Sequence, residues 1–349
     1  MTHQELPSYD QAPAGAIRFN TDSRKLEVYT GGPVGYGTLP NGQWMQVDSF
    51  TPDIATGGAR GVFGGGYAGT PAPAITNTIN YVTISTTGNA LDFGDLIAAA
   101  ANKNSCSSFT RGIFSGGATP TDSNSIDYIT ISSTGNGQDF GDLTQARRSS
   151  ASCSSSTRGV FSAGGFPSAF NIIDYITITS TGNAVDFGDS TQARVSSAGC
   201  SSSTRGIFSG GNSGPTSYNI IDFISISTLG NAADFGDLTS AKNSLAACSS
   251  STRGLFAGGV NPSAINTIDY ITISTLGNAQ DFGDLIGTPY GLGSCSSPTR
   301  GIFGGGVTPT ITNTINYVTI SSIGNAIDFG DLLTVTSSIC ALSNGHGGL

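Results

Sequence analysis

Hydrophobic residues recur along this chain in short runs of four to six positions, separated by glycine-containing turns. From about residue 55 onward, the same runs return roughly every 47 residues, and six copies can be aligned. The repeated unit reads R-x-S-x-A-x-C-S-S-x-T-R-G-I-F-S-G-G, then a variable stretch, then I-D-Y-I-T-I-S-S-T-G-N-A-x-D-F-G-D-L-T. Self-similarity with a period near 47 is typical of a propeller or a solenoid.

Each unit carries the signals of four β-strands, which we call a to d. In the third unit the predicted strands are residues 149–155, 159–163, 173–178 and 184–189. Strand c is rich in β-branched and aromatic residues, which favour sheets. The Gly-Asn pair between strands c and d is a hairpin-turn signal, because both residues tolerate a positive φ. We therefore expect a four-stranded antiparallel sheet in every unit.

Strand c is apolar on both faces. Alternation along a strand sends Ile173 and Tyr175 to one face, and Ile176 and Ile178 to the other. A sheet of this kind must be covered on both sides, as blades around an axis are. No 3.6-residue period is sustained, so helices are not expected. The pattern predicts an all-β, six-bladed β-propeller with four-stranded antiparallel blades; a β-solenoid is the alternative, which the hairpin turns disfavour.

The two ends of the repeat region are complementary. Residues 337–342 repeat the strand-a signature with no strand b after them, whereas the first unit opens directly on strand b at residues 61–63. We predict that the C-terminal strand containing Cys340 completes the first blade. That pairing closes the ring and leaves no open sheet edge.

Composition narrows the function classes. The chain has 349 residues, a net charge of −9 and only 11% charged residues. An acidic chain without a basic stripe argues against nucleic acid as a partner. The polar segment 1–11 lacks the apolar core of a signal peptide. No run approaches the ~18 apolar residues of a membrane helix, so no membrane insertion is expected.

Six cysteines occur at intervals of 47, 47, 48, 47 and 45 residues, from Cys106 to Cys340. The spacing places one cysteine at the same position of each repeat, which indicates small buried residues with free thiols. Disulfides and a metal bound by a ring of thiolates are the alternatives. Equivalent positions in neighbouring blades are too far apart for a disulfide unless they crowd the axis.

Two charged features repeat in all units. The arginine of the T-R-G turn is predicted to tie neighbouring blades together; the six are Arg60, Arg111, Arg158, Arg205, Arg253 and Arg300. The paired aspartates of D-F-G-D, such as Asp186 and Asp189, are predicted to cap turn amides or to pair with these arginines. Calcium binding is the alternative for the aspartates. Sixfold repetition favours structure over catalysis, because an active site is made once.

Catalytic signatures do not emerge from the sequence. The two histidines, His3 and His346, lie near the ends, which disfavours histidine-based metal or nucleophile chemistry. Glycines follow strand b in a repeat context and form neither a P-loop nor a dinucleotide fingerprint. The sequence therefore predicts a non-enzyme without cofactor or metal.

Variation between units is concentrated in the b–c and d–a loops, which lie at the same end of a four-stranded blade. Such one-sided variation often marks a binding face; drift in unconstrained loops is the alternative. Aromatic residues in these loops are the candidates for stacking on a sugar or anchoring a protein: Tyr67, Phe166, Phe170, Tyr218 and Tyr290.

Residues 1–50 do not match the repeat and are predicted to form a separate module, with the propeller spanning residues 51–349. Two alternating strands flank an Asp22-Ser23 turn, and a third short strand holds Trp44. Three short strands are marginal alone, so the module should dock on something.

Two resemblances follow from these motifs. Paired glycines after strand b, the hydrophobic-x-Tyr strand c and an Arg before strand a (Arg147, Arg194) resemble the kelch family. The chain departs from kelch by lacking the strand-d tryptophan. Phenylalanine stands there instead, at Phe93, Phe140, Phe187, Phe235, Phe282 and Phe329.

The segment G-x-I-R-F-N-T-x-x-x-K-L-E-x-Y-x-G…W resembles a motif of phage tail-fibre and baseplate proteins. The repeat is similar to that of structural proteins of phages infecting marine bacteria. The resemblance implies a virion structural or adhesion protein, bound to other virion proteins through residues 1–50. Its variable loops would contact a host glycan or protein. A carbohydrate-binding propeller independent of a virion is the alternative, and the oligomeric state stays open.

Overall fold

A computed structural model of the chain describes residues 16–20, 25–29, 44–46, 59–70 and 72–349. The chain divides into two compact units, Met1–Ala55 and Thr56–Leu349. In the first unit, strands β1 (Ile17–Asn20), β2 (Lys25–Tyr29) and β3 (Trp44–Gln46) form an antiparallel sheet in that order. Arg18 pairs with Glu27 at 2.7 Å across β1 and β2. The three predicted strands are confirmed, whereas the predicted Asp22-Ser23 turn lies outside the described residues.

Six four-stranded antiparallel sheets make up the described part of the second unit, and we number them I to VI. Sheet I contains β4 (Arg60–Gly64), β7 (Thr78–Thr83), β8 (Leu91–Asp95) and β32 (Cys340–Ser343). Sheet II contains β9 (Asn104–Ser107), β10 (Arg111–Ser115), β11 (Ser125–Thr130) and β12 (Gln138–Asp142). Sheet III contains β13 (Ala151–Ser154), β14 (Arg158–Ser162), β15 (Ile172–Thr177) and β16 (Val185–Asp189).

The remaining sheets have the same composition. Sheet IV contains β17 (Ala198–Ser201), β18 (Arg205–Ser209), β21 (Ile220–Ser225) and β22 (Ala233–Asp237). Sheet V contains β23 (Ala246–Ser249), β24 (Arg253–Ala257), β25 (Thr267–Thr272) and β26 (Gln280–Asp284). Sheet VI contains β27 (Gly293–Ser296), β28 (Arg300–Gly304), β29 (Thr314–Thr319) and β30 (Ile327–Asp331).

Five two-residue strands lie outside these sheets. They are β5 (Tyr67–Ala68), β6 (Ala74–Ile75), β19 (Asn212–Ser213), β20 (Thr216–Ser217) and β31 (Thr336–Ser337). Strand β31 pairs with β5, which pairs with β6, and β19 pairs with β20.

The strands of each sheet follow the predicted order a-b-c-d, and a β-bulge interrupts every c–d pair, in sheet III between Ile173 and Asp174. The described residues form no helix, and they therefore contain no helix that is long and apolar enough to cross a membrane. The fold is thus all-β and propeller-like, as the turn and strand patterns indicate.

The C-terminal strand joins the first sheet, as predicted. Strand β32 runs antiparallel to β4, with Cys340 opposite Gly64 and Leu342 opposite Val62. In sheet II, Cys106 lies opposite Ile113, the counterpart of Val62. Leu342 therefore occupies the position of the other five cysteines, and Cys340 lies two residues earlier. The prediction that all six cysteines are equivalent is wrong for Cys340; the last interval of 45 instead of 47 residues reflects this register.

Both faces of each sheet are buried, and the core consists of layers between neighbouring sheets. Sheet III packs Phe161, Ile176 and Ile178 against sheet II, whereas Ile173 and Phe187 pack against sheet IV. The predicted division of strand c between two faces is confirmed. Burial of one such side chain contributes about 1.5–3 kcal/mol, so a sheet that lost one neighbour would lose several such contributions.

One serine per sheet links the strands a. The Oγ of each serine donates to the backbone carbonyl of the equivalent serine in the preceding sheet, at 2.5–2.9 Å. The series is Ser107, Ser154, Ser201, Ser249, Ser296 and Ser343, and Ser107 donates in turn to Ser343. These bonds, which we call the serine cycle, connect the six strands a side by side.

Candidate functional site

A second cycle of hydrogen bonds lies at the beginning of the six strands a. Each backbone N–H donates to the carbonyl of the equivalent residue in the preceding sheet, at 2.7–3.1 Å. The residues are Asn102, Ser149, Ser196, Ser244, Gly291 and Ser338. Apart from Gly291, all of these residues carry a side chain and have a left-handed backbone, with φ between 52° and 57°. The left-handed conformation costs ~1–2 kcal/mol for a residue with a Cβ atom.

These residues surround a cavity of about 240 Å³, which we call the central cavity. Its wall includes serines, such as Ser149, Ser150, Ser196 and Ser197, and also Tyr290, Leu292, Val307 and Ile339. Among the described residues of the wall, Lys103 is the one cation. Its Nζ donates to the Gly116 carbonyl at 3.0 Å and lies 3.6 Å from Asp127 Oδ2, so its charge is engaged within the protein.

At the level of the serine cycle there is a narrower cavity of about 60 Å³, lined by the serines and cysteines of strands a and by His346. The His346 Nδ1 accepts from the Gly348 N–H at 3.1 Å, so Nε2 carries the proton and donates to the Ser107 carbonyl at 3.1 Å. A side chain at Gly347 or Gly348 would overlap backbone carbonyl oxygens. Residues 344–349 therefore fit here because the segment contains glycines at its points of closest approach.

Burial lowers the pKa of His346 from 6.5 to about 4, and the hydrogen bond to Ser107 offsets this only in part. The residues around it in this cavity are serines, cysteines, Gly199, Ala247, Ala341 and Leu342, none of which supplies a carboxylate. His346 is thus held as a neutral imidazole at physiological pH.

All six cysteines are free and buried. Burial raises the pKa of each thiol, to about 12 for Cys200 and Cys340, so thiolate chemistry is suppressed. Five of the sulfurs pack on the glycine that follows the T-R-G arginine in a neighbouring sheet; for example, a Cβ at Gly159 would meet Cys106 Sγ.

The T-R-G arginines connect neighbouring sheets. In sheet III, Arg158 stacks on the ring of Tyr175, 4.5 Å from its centroid, and donates from Nη1 to the Ile226 carbonyl of sheet IV at 2.7 Å. The other five make the same stacking and inter-sheet contacts: Arg60, Arg111, Arg205, Arg253 and Arg300. A stacked, charged donor of this kind combines a cation–π contact with a charge-assisted hydrogen bond.

The prediction for the D-F-G-D carboxylates is wrong in the described part of the chain. They neither cap turns nor pair with the T-R-G arginines, which are engaged with carbonyls and with aromatic rings, a tyrosine in five sheets and Phe223 in sheet IV. Instead, the backbone N–H of the second aspartate donates to the asparagine Oδ1 of a neighbouring T-G-N turn, as Asp142 does to Asn183 at 3.0 Å. The backbone of this motif, and not its charge, holds the turn.

Buried ion pairs that the sequence analysis did not identify lie between strands a and c. Arg147 Nη2 lies 2.9 Å from Asp174 Oδ2, and both side chains are fully buried. Equivalent pairs are Arg194–Asp222 at 2.9 Å in sheet IV and Lys242–Asp269 at 3.0 Å in sheet V. In sheet II the cation beside Asp127 is Lys103, which is not at the position equivalent to Arg147 in the repeat.

Sheets I and VI lack such a cation among their described residues and also lack the aspartate. At the arginine position they have Thr336 and Pro289, and Asn80 and Asn316 replace the aspartate. The asparagine Oδ1 accepts only a backbone N–H, from Leu333 and Ile286 respectively. Burying a carboxylate without a cation costs free energy of folding. This explains why the position holds Asp in the sheets that have the cation and Asn in the two sheets that lack it.

Burial dominates the titration of these pairs. Burial lowers the pKa of Arg147, Arg194 and Lys242, and the paired aspartate raises it only in part. Burial raises the pKa of Asp127, and the nearby Lys103 offsets this only in part. These pairs therefore specify the packing of strand c more than they add net stability.

The five aromatic residues predicted to bind do not form one cluster. Tyr290 alone lines the central cavity. Phe166 is exposed beneath the Arg148 guanidinium, which is 4.1 Å from the ring centroid. Tyr218 accepts a hydrogen bond from Gln192 at 3.3 Å. Tyr67 lies in β5 and Phe170 beside Gly165. No ring contact joins any two of them in the described part of the chain.

No three His, Cys, Asp or Glu residues lie close enough to hold a metal ion within the described ranges. No family model matches the chain, and no curated protein matches it significantly.

The dependence of Asp222 on its cation is tested by giving sheet IV the two residues that sheet I has at the positions of Arg194 and Asp222. Arg194→Thr leaves Asp222 buried without its cation and should cost about 3–5 kcal/mol of unfolding free energy. Adding Asp222→Asn should recover much of that loss, because Thr336 and Asn80 occupy these positions in sheet I. Urea unfolding of both variants measures the difference; a double variant no more stable than R194T would contradict this explanation.

His346 predicts an acid-sensitive contribution to stability. Its folded pKa of about 4 lies below 6.5, so the contribution is complete above pH 6.5 and is lost as the pH falls through 4. It amounts to at most about 3 kcal/mol, since one pKa unit corresponds to ~1.4 kcal/mol. Thermal unfolding from pH 7 to 4 should show the stability difference between wild type and H346Q shrinking. An unchanged difference would refute the neutral, docked imidazole.

Proposed function

We propose that this chain is a virion structural or adhesion protein of a bacteriophage, and that its six sheets are the blades of a closed, kelch-like propeller. The unit Met1–Ala55 would attach it to other virion proteins, and the propeller would be displayed. The observation that carries the proposal is the pairing of a separate three-stranded unit, bearing the G-x-I-R-F-N-T motif, with the repeat unit in one chain.

Ring closure is supported by three independent sets of contacts. Strand β32 completes the sheet that begins with β4. The serine cycle returns from Ser343 to Ser107. The T-R-G arginine of sheet VI, Arg300, donates to the Ile84 carbonyl of sheet I as its equivalents do elsewhere. The serine cycle and the Arg300 contact link sheet I to its neighbours in the way that the interior sheets are linked.

Two contrasting ends of the sheets support an adhesion role. The a–b and c–d turns are uniform, since the T-R-G arginine and the T-G-N asparagine make the same contacts in every sheet. The b–c segments take more than one form: sheet I has the short strands β5 and β6, sheet IV has β19 and β20, and sheets II, V and VI share an isolated bridge, such as that from Ala118 to Asp122. Loops that vary on a constant scaffold are where binding specificity usually lies.

The low charge of the chain suits a passive, exposed part of a particle. Each sheet is held by hydroxyl, carbonyl and apolar contacts, and the buried charges are paired within the sheets. Among the described residues, the repeated polar groups serve packing in every sheet, which gives no single sheet a distinct catalytic cluster. We therefore propose a non-enzymatic role.

The proposal is tested on purified phage particles whose genome encodes the chain. Mass spectrometry should detect its peptides in stoichiometric amounts, and gold-labelled antibodies against residues 72–349 should mark an external structure. Glu27→Lys, which places a second cation opposite Arg18, should lower incorporation into particles. Asp186→Lys, an exposed exchange on strand d, is the matched control. Particles that lack the chain altogether would refute the proposal.

A further inference from the structure

We propose that the central cavity binds a neutral saccharide, held by the side chains of the left-handed residues that surround it. The inference gives a ligand class to the adhesion role proposed above and rests on it for its biological meaning. The site is formed by Asn102, Ser149, Ser196 and Ser338, and Tyr290 also lines the cavity.

The backbone of these residues adopts a conformation that disfavours side chains. Ser149, Ser196 and Ser338 have φ of 55°, 56° and 52°, where glycine is the residue without strain. The equivalent Gly291, at φ 63°, shows that glycine is compatible with the hydrogen-bonded cycle. Hydroxyl side chains are therefore kept at these positions against a conformational preference. Strain of this kind is concentrated at ligand and active sites.

The strained side chains of the site make no contribution to hydrogen bonding inside the described part of the protein. The hydroxyls of Ser149, Ser196 and Ser338 and the Asn102 amide make no hydrogen bond to another described residue. Their backbone groups, in contrast, are all engaged in the cycle.

The charge and shape of the cavity suit a neutral ligand. No Asp, Glu or Arg among the described residues lines it, and Lys103 is engaged with Gly116 and Asp127. A charged ligand would lack a counter-charge there, whereas hydroxyl groups would find donors and acceptors on the serines. Tyr290 supplies an aromatic surface for the C–H face of a sugar ring. The volume of about 240 Å³ is below that of sites for drug-sized ligands, which suits one or two sugar residues.

The experiment uses the full chain and the triple variant S149G/S196G/S338G. Glycine suits these φ values, so the variant should fold with an unchanged or higher melting temperature. Ser133→Gly, in an exposed c–d turn at the other end of sheet II, is the matched control. The probes are glucose, galactose, mannose and N-acetylglucosamine, with glucuronic acid as the charged comparison, measured by saturation-transfer NMR and titration calorimetry.

We expect saturable binding of at least one neutral probe by the wild type and the S133G control. Affinity should fall about tenfold or more in the triple variant, since several hydrogen bonds are lost together. Absence of saturable binding to every neutral probe, binding of glucuronic acid alone, or undiminished affinity in the folded triple variant would each overturn the inference. Because the isolated chain is used, these outcomes are independent of whether the chain is found in virions.

Discussion

The four-stranded sheets of this protein bury apolar side chains on both faces, and most other features follow from that constraint. A sheet such as III needs sheet II for Phe161 and Ile176, and sheet IV for Ile173 and Phe187. The first and last sheets are also covered on both faces, because sheets I and VI share a buried layer that contains Phe63 and Ile302. The sequence therefore has to make six nearly equal units and give each unit the same inter-sheet contacts.

The repeated polar residues serve this need at three levels. The cycle of left-handed residues joins the beginnings of strands a, the serine cycle joins their ends, and the T-R-G arginines reach from each strand b to the next sheet. Because each kind of contact occurs once in every sheet, the six sheets have a uniform geometry. The repeated serines and arginines, which could have suggested chemistry, therefore have structural roles. The ion pairs between strands a and c differ, because only four sheets have them.

The sequence predicted the strand order, the two-sided strand c and the completion of the first sheet by the C-terminal strand, because these depend on local alternation and turn residues. It also predicted that the T-R-G arginines connect neighbouring units, as Arg158 does, but it could not identify a partner that lies far along the chain. The carbonyl partner of Arg158, Ile226, is 68 residues away, and nothing local identifies it. The Arg194–Asp222 pair had a signal: Asn80 and Asn316 stand in the two units that have Thr336 and Pro289 at the arginine position.

The central cavity was also beyond sequence reasoning, although its best aromatic residue, Tyr290, was among the candidates. A positive φ at Ser149 or Ser196 is not encoded by a glycine or a turn motif; both residues belong to the cycle of backbone hydrogen bonds around the central cavity. The displacement of Cys340 from the position of the other five cysteines could not be predicted from the sequence either. An interval of 45 residues is close enough to 47 to suggest equivalence, and only the pairing of Leu342 with Val62 shows that Cys340 is displaced.

The central claim is that strand β32 completes sheet I and so gives every sheet two neighbours. Hydrogen–deuterium exchange of the native chain, followed by mass spectrometry, tests it directly on the amides of Cys340–Ser343. The account predicts that they exchange as slowly as those of the five equivalent strands, such as Ala151–Ser154, because they are buried and paired. Exchange of Cys340–Ser343 at the rate of an unstructured segment, with the other five strands protected, would contradict it.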